Sequence, residues 1–349
     1  MGFTSAMHRV KANQVTIGIT LGDINGIGPE VALKAARRRF PAGTRVVLVG
    51  SARVASEQAE ALGIRAPTPW SPAAGRRPRA AVSVWDPAPE TRLKWLPGSI
   101  RVDASRAAHT WICEAVTACR GGILDAMVTA PISKEGFARG GIDVPGHTEL
   151  LAALTRTRRF AMMLFGGRLR VVLVTRHVPL RRVPGMLTRP RIRQAIELTH
   201  EALPWLGAAR SRIAVCGLNP HAGDGGAIGT EEQTVIAPVI RSLQRKKLDL
   251  VGPVPADTVF HEAQRGDYDA VVAMYHDQGL GPLKMLAFDT GVNVTLGLPI
   301  VRTSPDHGTA FAIAGAGAAR EGSMVEAIKT ARHLALQPNP WTRGTGRRR

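Results

Sequence analysis

Short apolar runs rich in Val, Ile, Leu and Ala recur along the 349-residue chain, each followed by glycine or by polar residues. They are 15–21, 45–49, 126–129, 170–175, 213–216, 270–275 and 292–296. Several read as continuous rather than alternating, the pattern of strands buried on both faces. Helical patterns lie between them. Ile192, Ala195, Ile196, Thr199 and Leu203 share one face at helical spacing, and Thr188 is placed to cap that helix. Strands alternating with helices restrict the chain to an α/β fold with a largely parallel sheet. At roughly 100–200 residues per domain, the length suggests two domains. The stretch 66–96, with its prolines and the run Gly75-Arg76-Arg77-Pro78-Arg79, reads as a surface excursion. From 337 onward the chain reads as a disordered basic tail.

Ligands of open α/β sheets sit beyond the carboxyl ends of the strands. The residues just past each apolar run are therefore the candidates for chemistry. After Leu21 comes Gly-Asp-Ile-Asn-Gly-Ile-Gly-Pro-Glu; after Thr129, Ala-Pro-Ile-Ser-Lys; after Thr175, Arg176-His177; after Cys216, Gly-Leu-Asn-Pro-His221; after Tyr275, His276-Asp277-Gln278. His177, His221 and His276 thus each stand just past an expected strand. Three neutral imidazoles would leave a divalent ion its full charge and open positions. Taken singly, each is better explained as a polar residue at a loop entrance; taken together, at three strand ends, they point to a metal site.

The loop holding Gly22, Gly26 and Gly28 matches neither the dinucleotide-binding glycine fingerprint nor a P-loop. It is either a tight strand-to-helix turn or a place where backbone N–H groups approach an anion. A second loop of small residues runs Ser304-Pro305-Asp306-His307-Gly308-Thr309-Ala310. Gly146-His147-Thr148-Glu149 offers donors ahead of a helical run, where Thr148 would serve equally as an N-cap. Lys284, Asn293 and Arg302 supply a cation, an amide and a guanidinium suited to phosphate, although lone charges are usually solvated.

The net charge of +19 could favour nucleic acid, anionic membranes or anionic substrates. The arginines are spread along the chain, and aromatic residues are only 5%, with none interleaved in a basic stretch. That argues against single-strand nucleic-acid binding. Cys113, Cys119 and Cys216 form no C-x-x-C pair and are odd in number, which fits reduced thiols in the cytoplasm. Residues 1–14 lack the apolar stretch of a secretory signal, and no run of 18 or more apolar residues suggests a membrane span.

Six phrases then occur in order: Val128-Thr-Ala-Pro-Ile-Ser-Lys134, Pro145-Gly-His-Thr-Glu149, Gly217-Leu-Asn-Pro-His-Ala-Gly223, Gly252-Pro-Val-Pro-Ala-Asp-Thr258, Tyr275-His-Asp-Gln-Gly279 and Asp306-His-Gly-Thr-Ala310. With them the chain, from residue 17 to about 319, resembles the 4-hydroxythreonine-4-phosphate dehydrogenase family, the PdxA-type enzymes of pyridoxal phosphate biosynthesis. The resemblance implies a two-domain, three-layer α/β/α fold related to isocitrate and isopropylmalate dehydrogenases. The first domain would be 13–133 with 296–337, carrying the cofactor loops. The second would be 134–295, carrying metal, substrate and dimer contacts, and 338–349 would be the tail. It implies a homodimer with active sites at the subunit interface. His177, His221 and His276 would be metal ligands, with His276 of the partner subunit completing each site; the metal would be zinc, magnesium or cobalt. His147, Thr148, Lys284, Asn293 and Arg302 match substrate-binding positions, with Lys284 and His276 catalytic. Gly22, Asp23 and Gly26, with Asp306, His307, Gly308 and Thr309, would face the cofactor, NAD, with NADP as the alternative. The implied reaction oxidises 4-phosphooxy-L-threonine to 2-amino-3-oxo-4-phosphooxybutanoate, which decarboxylates to 3-amino-2-oxopropyl phosphate.

Two positions depart from the family pattern. Ile24-Asn25 stands where Pro-Ala is common, and Ile313 where related enzymes often carry an acid. Competing readings are a paralogue acting on phosphorylated threonate or erythronate, a cofactor-free metal-dependent hydrolase or aldolase, and a basic nucleic-acid-binding protein.

Overall fold

A computed structural model describes residues 14–90 and 92–342. The strands in chain order are β1 (Val15–Thr20), β2 (Thr44–Val49), β3 (Thr68–Pro69), β4 (Val82–Trp85), β5 (Ala126–Thr129), β6 (Ala161–Gly166), β7 (Leu169–Leu173), β8 (Ile213–Cys216), β9 (Leu250–Val254), β10 (Ala270–Ala273), β11 (Val292–Leu296) and β12 (Arg302–Pro305). The main helices are α1 (Gly28–Ala36), α2 (Ala52–Ala61), α3 (Val102–Arg120), α4 (Lys134–Arg139), α5 (His147–Leu154), α6 (Arg189–Trp205), α7 (Ala237–Gln244), α8 (Ala256–Arg265), α9 (His276–Ala287) and α10 (Gly322–Ala335). The chain divides into two compact units. Unit 1 is Met1–Arg156 with Leu298–Arg349, and unit 2 is Thr157–Gly297.

In unit 1 the strand order is β3-β4-β2-β1-β5-β12, and every pairing is parallel. All six residues of β1 and all four of β5 are buried, which is why their sequences carry no charge and hold only small or apolar residues. Helix α10 packs on β12, β5 and β1, and α3 packs on β1 and β5. Residues 134–156 also belong to this unit, because α4 and α5 pack on α3.

Unit 2 runs β11-β6-β7-β10-β8-β9. Strands β7, β10, β8 and β9 are parallel, while β6 is antiparallel to both β7 and β11. Its core gathers Leu164, Val171, Cys216, Phe260, Val271 and Leu283, side chains each worth about 1.5–3 kcal/mol when fully buried.

The stretch 66–96 is less irregular than its composition suggests. It contributes β3 and β4 to the sheet, and Val84 and Trp85 are buried. Its basic run is fastened as well: the Arg77 guanidinium grips both carboxylate oxygens of Asp125 and donates to Thr16 Oγ1 at 3.2 Å. Thr188 is the N-cap residue of α6, but its side chain makes no capping bond. Of the expected tail, 338–342 are described, and Asn339 Nδ2 donates to Leu298 O at 3.1 Å. Residues 343–349, and nearly all of the expected signal-free N-terminus, lie outside the described residues.

Candidate active site

In unit 1 the parallel strands deliver their loops to one end of the sheet. Gly22 has φ 67°, and a Cβ there would lie 2.2 Å from Pro131 O. Only glycine lets the loop after β1 press on the segment after β5, where Asp23 N–H donates to Pro131 O at 2.9 Å. At Gly26 a Cβ would lie 2.8 Å from Thr309 O, and Ile27 N–H donates to that oxygen at 2.9 Å. The room left by both glycines is thus taken by the chain itself. At Gly308 a Cβ would meet nothing within 4 Å. The carboxylate of Glu30 accepts from Ala319 N and Lys34 Nζ, and Lys34 also donates to Gly317 O and Ala319 O, so α1 holds the far end of the second loop. Asn25, one of the departures from the family pattern, accepts from Leu96 N through Oδ1 and from Gly98 N through its carbonyl. Three loops are thereby laced into one assembly.

Asp23 is fully buried in that assembly, and its Oδ2 has no hydrogen-bond partner. Burial, reinforced by Asp103 and opposed by the Asn25 N–H, pushes its carboxyl up to about 6. Asp306 N–H donates to Ser323 Oγ at 3.0 Å, and the His307 Nδ1 contacts Gly308 O at 3.2 Å.

A cationic group lies beside the end of β5. Arg302 opens β12, is 2% exposed, and donates from Nε and Nη2 to Thr129 Oγ1 at 3.2 and 2.7 Å. Burial lowers its guanidinium to about 9, against the pull of Glu149. His147 begins α5, and its Nε2 is buried without a partner. Burial, with Arg302 and Lys134 nearby, holds its imidazole well below the usual range, so the ring is neutral near pH 7. The N-cap of α5 is Gly146, which puts the buried Thr148 inside the first turn rather than at the cap.

In unit 2 the loops after β7, β8 and β10 leave the same end of parallel strands. His177 and His276 come together there, ring centroids 5.4 Å apart. His221 lies in a turn of left-handed residues, itself at φ 51°. Among the described residues no three His, Cys, Asp or Glu side chains gather as a ligand set for a metal ion. The two paired imidazoles fit as part of such a set. Asp277 Oδ1 lies 2.7 Å from His276 Nδ1, and with the proton on Nδ1 the Nε2 atom could serve a metal ion. Lys284 lies two turns further along α9, half-buried. Asn293 is on β11, and its Oδ1 is buried without a partner.

Three buried residues position these loops, and sequence reasoning gave none of them a role. Thr175 Oγ1 donates to Met274 O at 2.7 Å, tying the segment before His177 to the one before His276. Gln278 accepts from Met274 N at 2.7 Å and donates to Gly217 O at 2.8 Å. Glu232 accepts from the N–H groups of Leu218 and Asn219 at 2.7 and 2.8 Å and from Asn219 Nδ2 at 3.0 Å, which holds the His221 turn. The signal available for Gln278 was its place in the phrase Tyr275-His-Asp-Gln-Gly279; for Glu232 there was none.

Residues 42–331 match the family described as pyridoxal phosphate biosynthetic protein PdxA. A 4-hydroxythreonine-4-phosphate dehydrogenase from Geobacter metallireducens is 44% identical over 322 residues, covering 91% of this chain and 95% of that one. A D-threonate 4-phosphate dehydrogenase from Cupriavidus necator is 43% identical over 328 residues, covering 92% and 97%. The crystal structure of 4-hydroxythreonine-4-phosphate dehydrogenase from Klebsiella pneumoniae superposes with a TM-score of 0.81 at 39% identity, covering 92% of this chain and all of that one.

Proposed function

The chain belongs to the PdxA family of pyridoxal phosphate biosynthetic proteins, and from that premise we propose that it is a dehydrogenase oxidising 4-phosphooxy-L-threonine with NAD and a divalent metal. The product, 2-amino-3-oxo-4-phosphooxybutanoate, decarboxylates to 3-amino-2-oxopropyl phosphate. The observation that carries this reading is the near-full-length identity with a relative of that name.

His177, His221 and His276 would hold the ion. Their places just past the same end of parallel strands support this, and the family resemblance has His276 supplied by a second copy. When bound, a divalent ion lowers the pKa of a hydroxyl and stabilises developing negative charge. NAD, when bound, accepts the hydride. The segment Asp306-His307-Gly308-Thr309 would face the cofactor, with open space at Gly308, as would the loop of Gly22, Asp23 and Gly26, in which Gly26 lies against Thr309. Arg302, His147, Thr148 and Asn293 would grip the anionic substrate. Lys284 would take the hydroxyl proton and later return one to the carbon losing carbon dioxide.

A homodimer is supported by the apolar surface at the end of α9, where Met285, Leu286 and Phe288 are 82%, 49% and 69% exposed. Three free thiols, and the lack among the described residues of a helix long and apolar enough to cross a membrane, suit a cytoplasmic enzyme.

The Cupriavidus relative supports a second reading, in which the substrate is D-threonate 4-phosphate. The test is absorbance at 340 nm with NAD, zinc or magnesium and each substrate in parallel, with an EDTA-treated control. Metal-dependent NADH formation favouring the amino acid is expected. Turnover of the threonate alone would select the second reading, and silence with both would reject a dehydrogenase on either.

A further inference from the structure

We propose that Lys134 is a further substrate-binding residue, whose ammonium holds the phosphate group of the substrate beside Arg302. The inference deepens the functional reading above and rests on it.

Lys134 opens α4, and that start is fixed by the chain: Ser133 Oγ accepts from Gly136 N at 3.0 Å. The side chain then runs against the turn that carries His147. A Cβ at Gly146 would lie 3.7 Å from Lys134 Cε and 3.6 Å from Glu149 Oε2. The ammonium is near enough to act, with Arg302, on the imidazole of His147. Yet Lys134 is exposed and, among the described residues, makes no hydrogen bond or ion pair. Beside it, His147 Nε2 is buried and has no partner. An exposed lysine is ordinarily a solvated group. This one stands with a buried guanidinium and an unengaged imidazole nitrogen, against the single carboxylate of Glu149.

Two cations, one anion and a neutral donor suit a dianion with several acceptor oxygens. A phosphate monoester has three, enough for Arg302, Lys134 and His147 Nε2–H together; a carboxylate has two. Lys134 would act as a point charge on the phosphate, as lysines commonly do. The family phrase Val128–Lys134 contains this residue, but nothing in the sequence indicates that its side chain turns towards His147.

The test uses the full-length protein with inorganic phosphate as probe, followed by thermal unfolding of wild type, Lys134→Met, Lys134→Arg and a control, Lys329→Met, whose lysine pairs with Glu326 on α10. Phosphate should raise the Tm of wild type and control alike. Most of that rise should vanish in Lys134→Met and return in Lys134→Arg, with the Tm in its absence unchanged. In the dehydrogenase assay, Lys134→Met should raise KM for the phosphorylated substrate roughly tenfold, the loss of one charge-assisted bond. KM for the unphosphorylated analogue should not move. An equal phosphate effect in all four proteins would overturn the assignment, as would equal losses with both substrates. If phosphate acts through Lys134 but no substrate is oxidised, the anion site stands and the dehydrogenase reading falls. Normal turnover with an unaltered phosphate effect in Lys134→Met gives the reverse.

Discussion

In unit 1 the loops beyond the strands are tied largely backbone to backbone, through Asp23 to Pro131, Ile27 to Thr309 and Asn25 to Gly98. In unit 2 buried side chains, Thr175, Gln278 and Glu232, add to backbone bonds such as Thr175 N–H to Met274 O. The first arrangement depends on glycines that permit close approach and spreads its load over many bonds. The second rests more on individual side chains, so a single substitution there loosens a loop more than one in unit 1 does. The ligand chemistry differs in the same sense. Unit 1 assembles its cationic group from one stretch of sheet end, whereas unit 2 pairs His177 with His276 and leaves His221 out of the pair.

The largest effect expected from this contrast is in unit 2. His276→Ala should remove metal binding and lower kcat/KM on the order of a thousandfold, equivalent to about 4 kcal/mol of barrier. Metal content by elemental analysis, alongside NADH formation, checks it; retention of both would break the three-histidine reading. Next comes Asp23→Asn in unit 1. Its folded pKa is raised from 3.8 to about 6, so the folded state binds the proton more tightly than the unfolded one. The resulting destabilisation is absent below pH 3.8, grows between 3.8 and 6, and is complete above. Asn should therefore stabilise the protein by about 3 kcal/mol at pH 8, and by little at pH 4. Urea unfolding at both values measures it, and a gain independent of pH would refute burial of charge as the cause. Gln278→Leu should cost about 2 kcal/mol, because Met274 N and Gly217 O lose their partner inside the protein. Its effect on activity should exceed that of an equally destabilising change in unit 1, since the bond also sets the loop before His276. The smallest is Lys34→Met, about 1 kcal/mol by thermal unfolding, because the Glu30 carboxylate retains its bond from Ala319 N.

The sequence was most informative where burial acts on both faces of a strand. β5, β8 and β11 begin and end where the expected strand runs do, and β1, β2, β7 and β10 differ only at their ends. It was least informative where other demands mask that pattern. β4 is embedded in a proline- and arginine-rich stretch, β9 contains Gly252-Pro253, β12 reads Arg-Thr-Ser-Pro, and the methionines of β6 are neutral between helix and strand. The antiparallel placing of β6 against β7 follows from the two-residue turn Gly167-Arg168, whose glycine at φ 58° is a local hairpin signal the strand reading passed over. At the site, strand ends indicated which histidines could matter, and the pairing of His177 with His276 lies where two such ends meet. The residues that hold those ends act across 99 and 61 positions in sequence, and no spacing rule reaches that far. The first-loop glycines were legible as special but not their purpose, because the atoms they accommodate, Pro131 O and Thr309 O, belong to distant segments.

The lacing of the loops around Asn25, residues 95–98 and Thr309 has a kinetic corollary. Segments joined at several points cannot open one at a time, so their amides should exchange with solvent as one cooperative group rather than as three. Asn25 supplies two of the stitches, one through its side-chain Oδ1 and one through its backbone carbonyl, which any residue would offer. In this chain, then, a position that reads as a small deviation in a glycine loop adds one more tie to that end of the sheet.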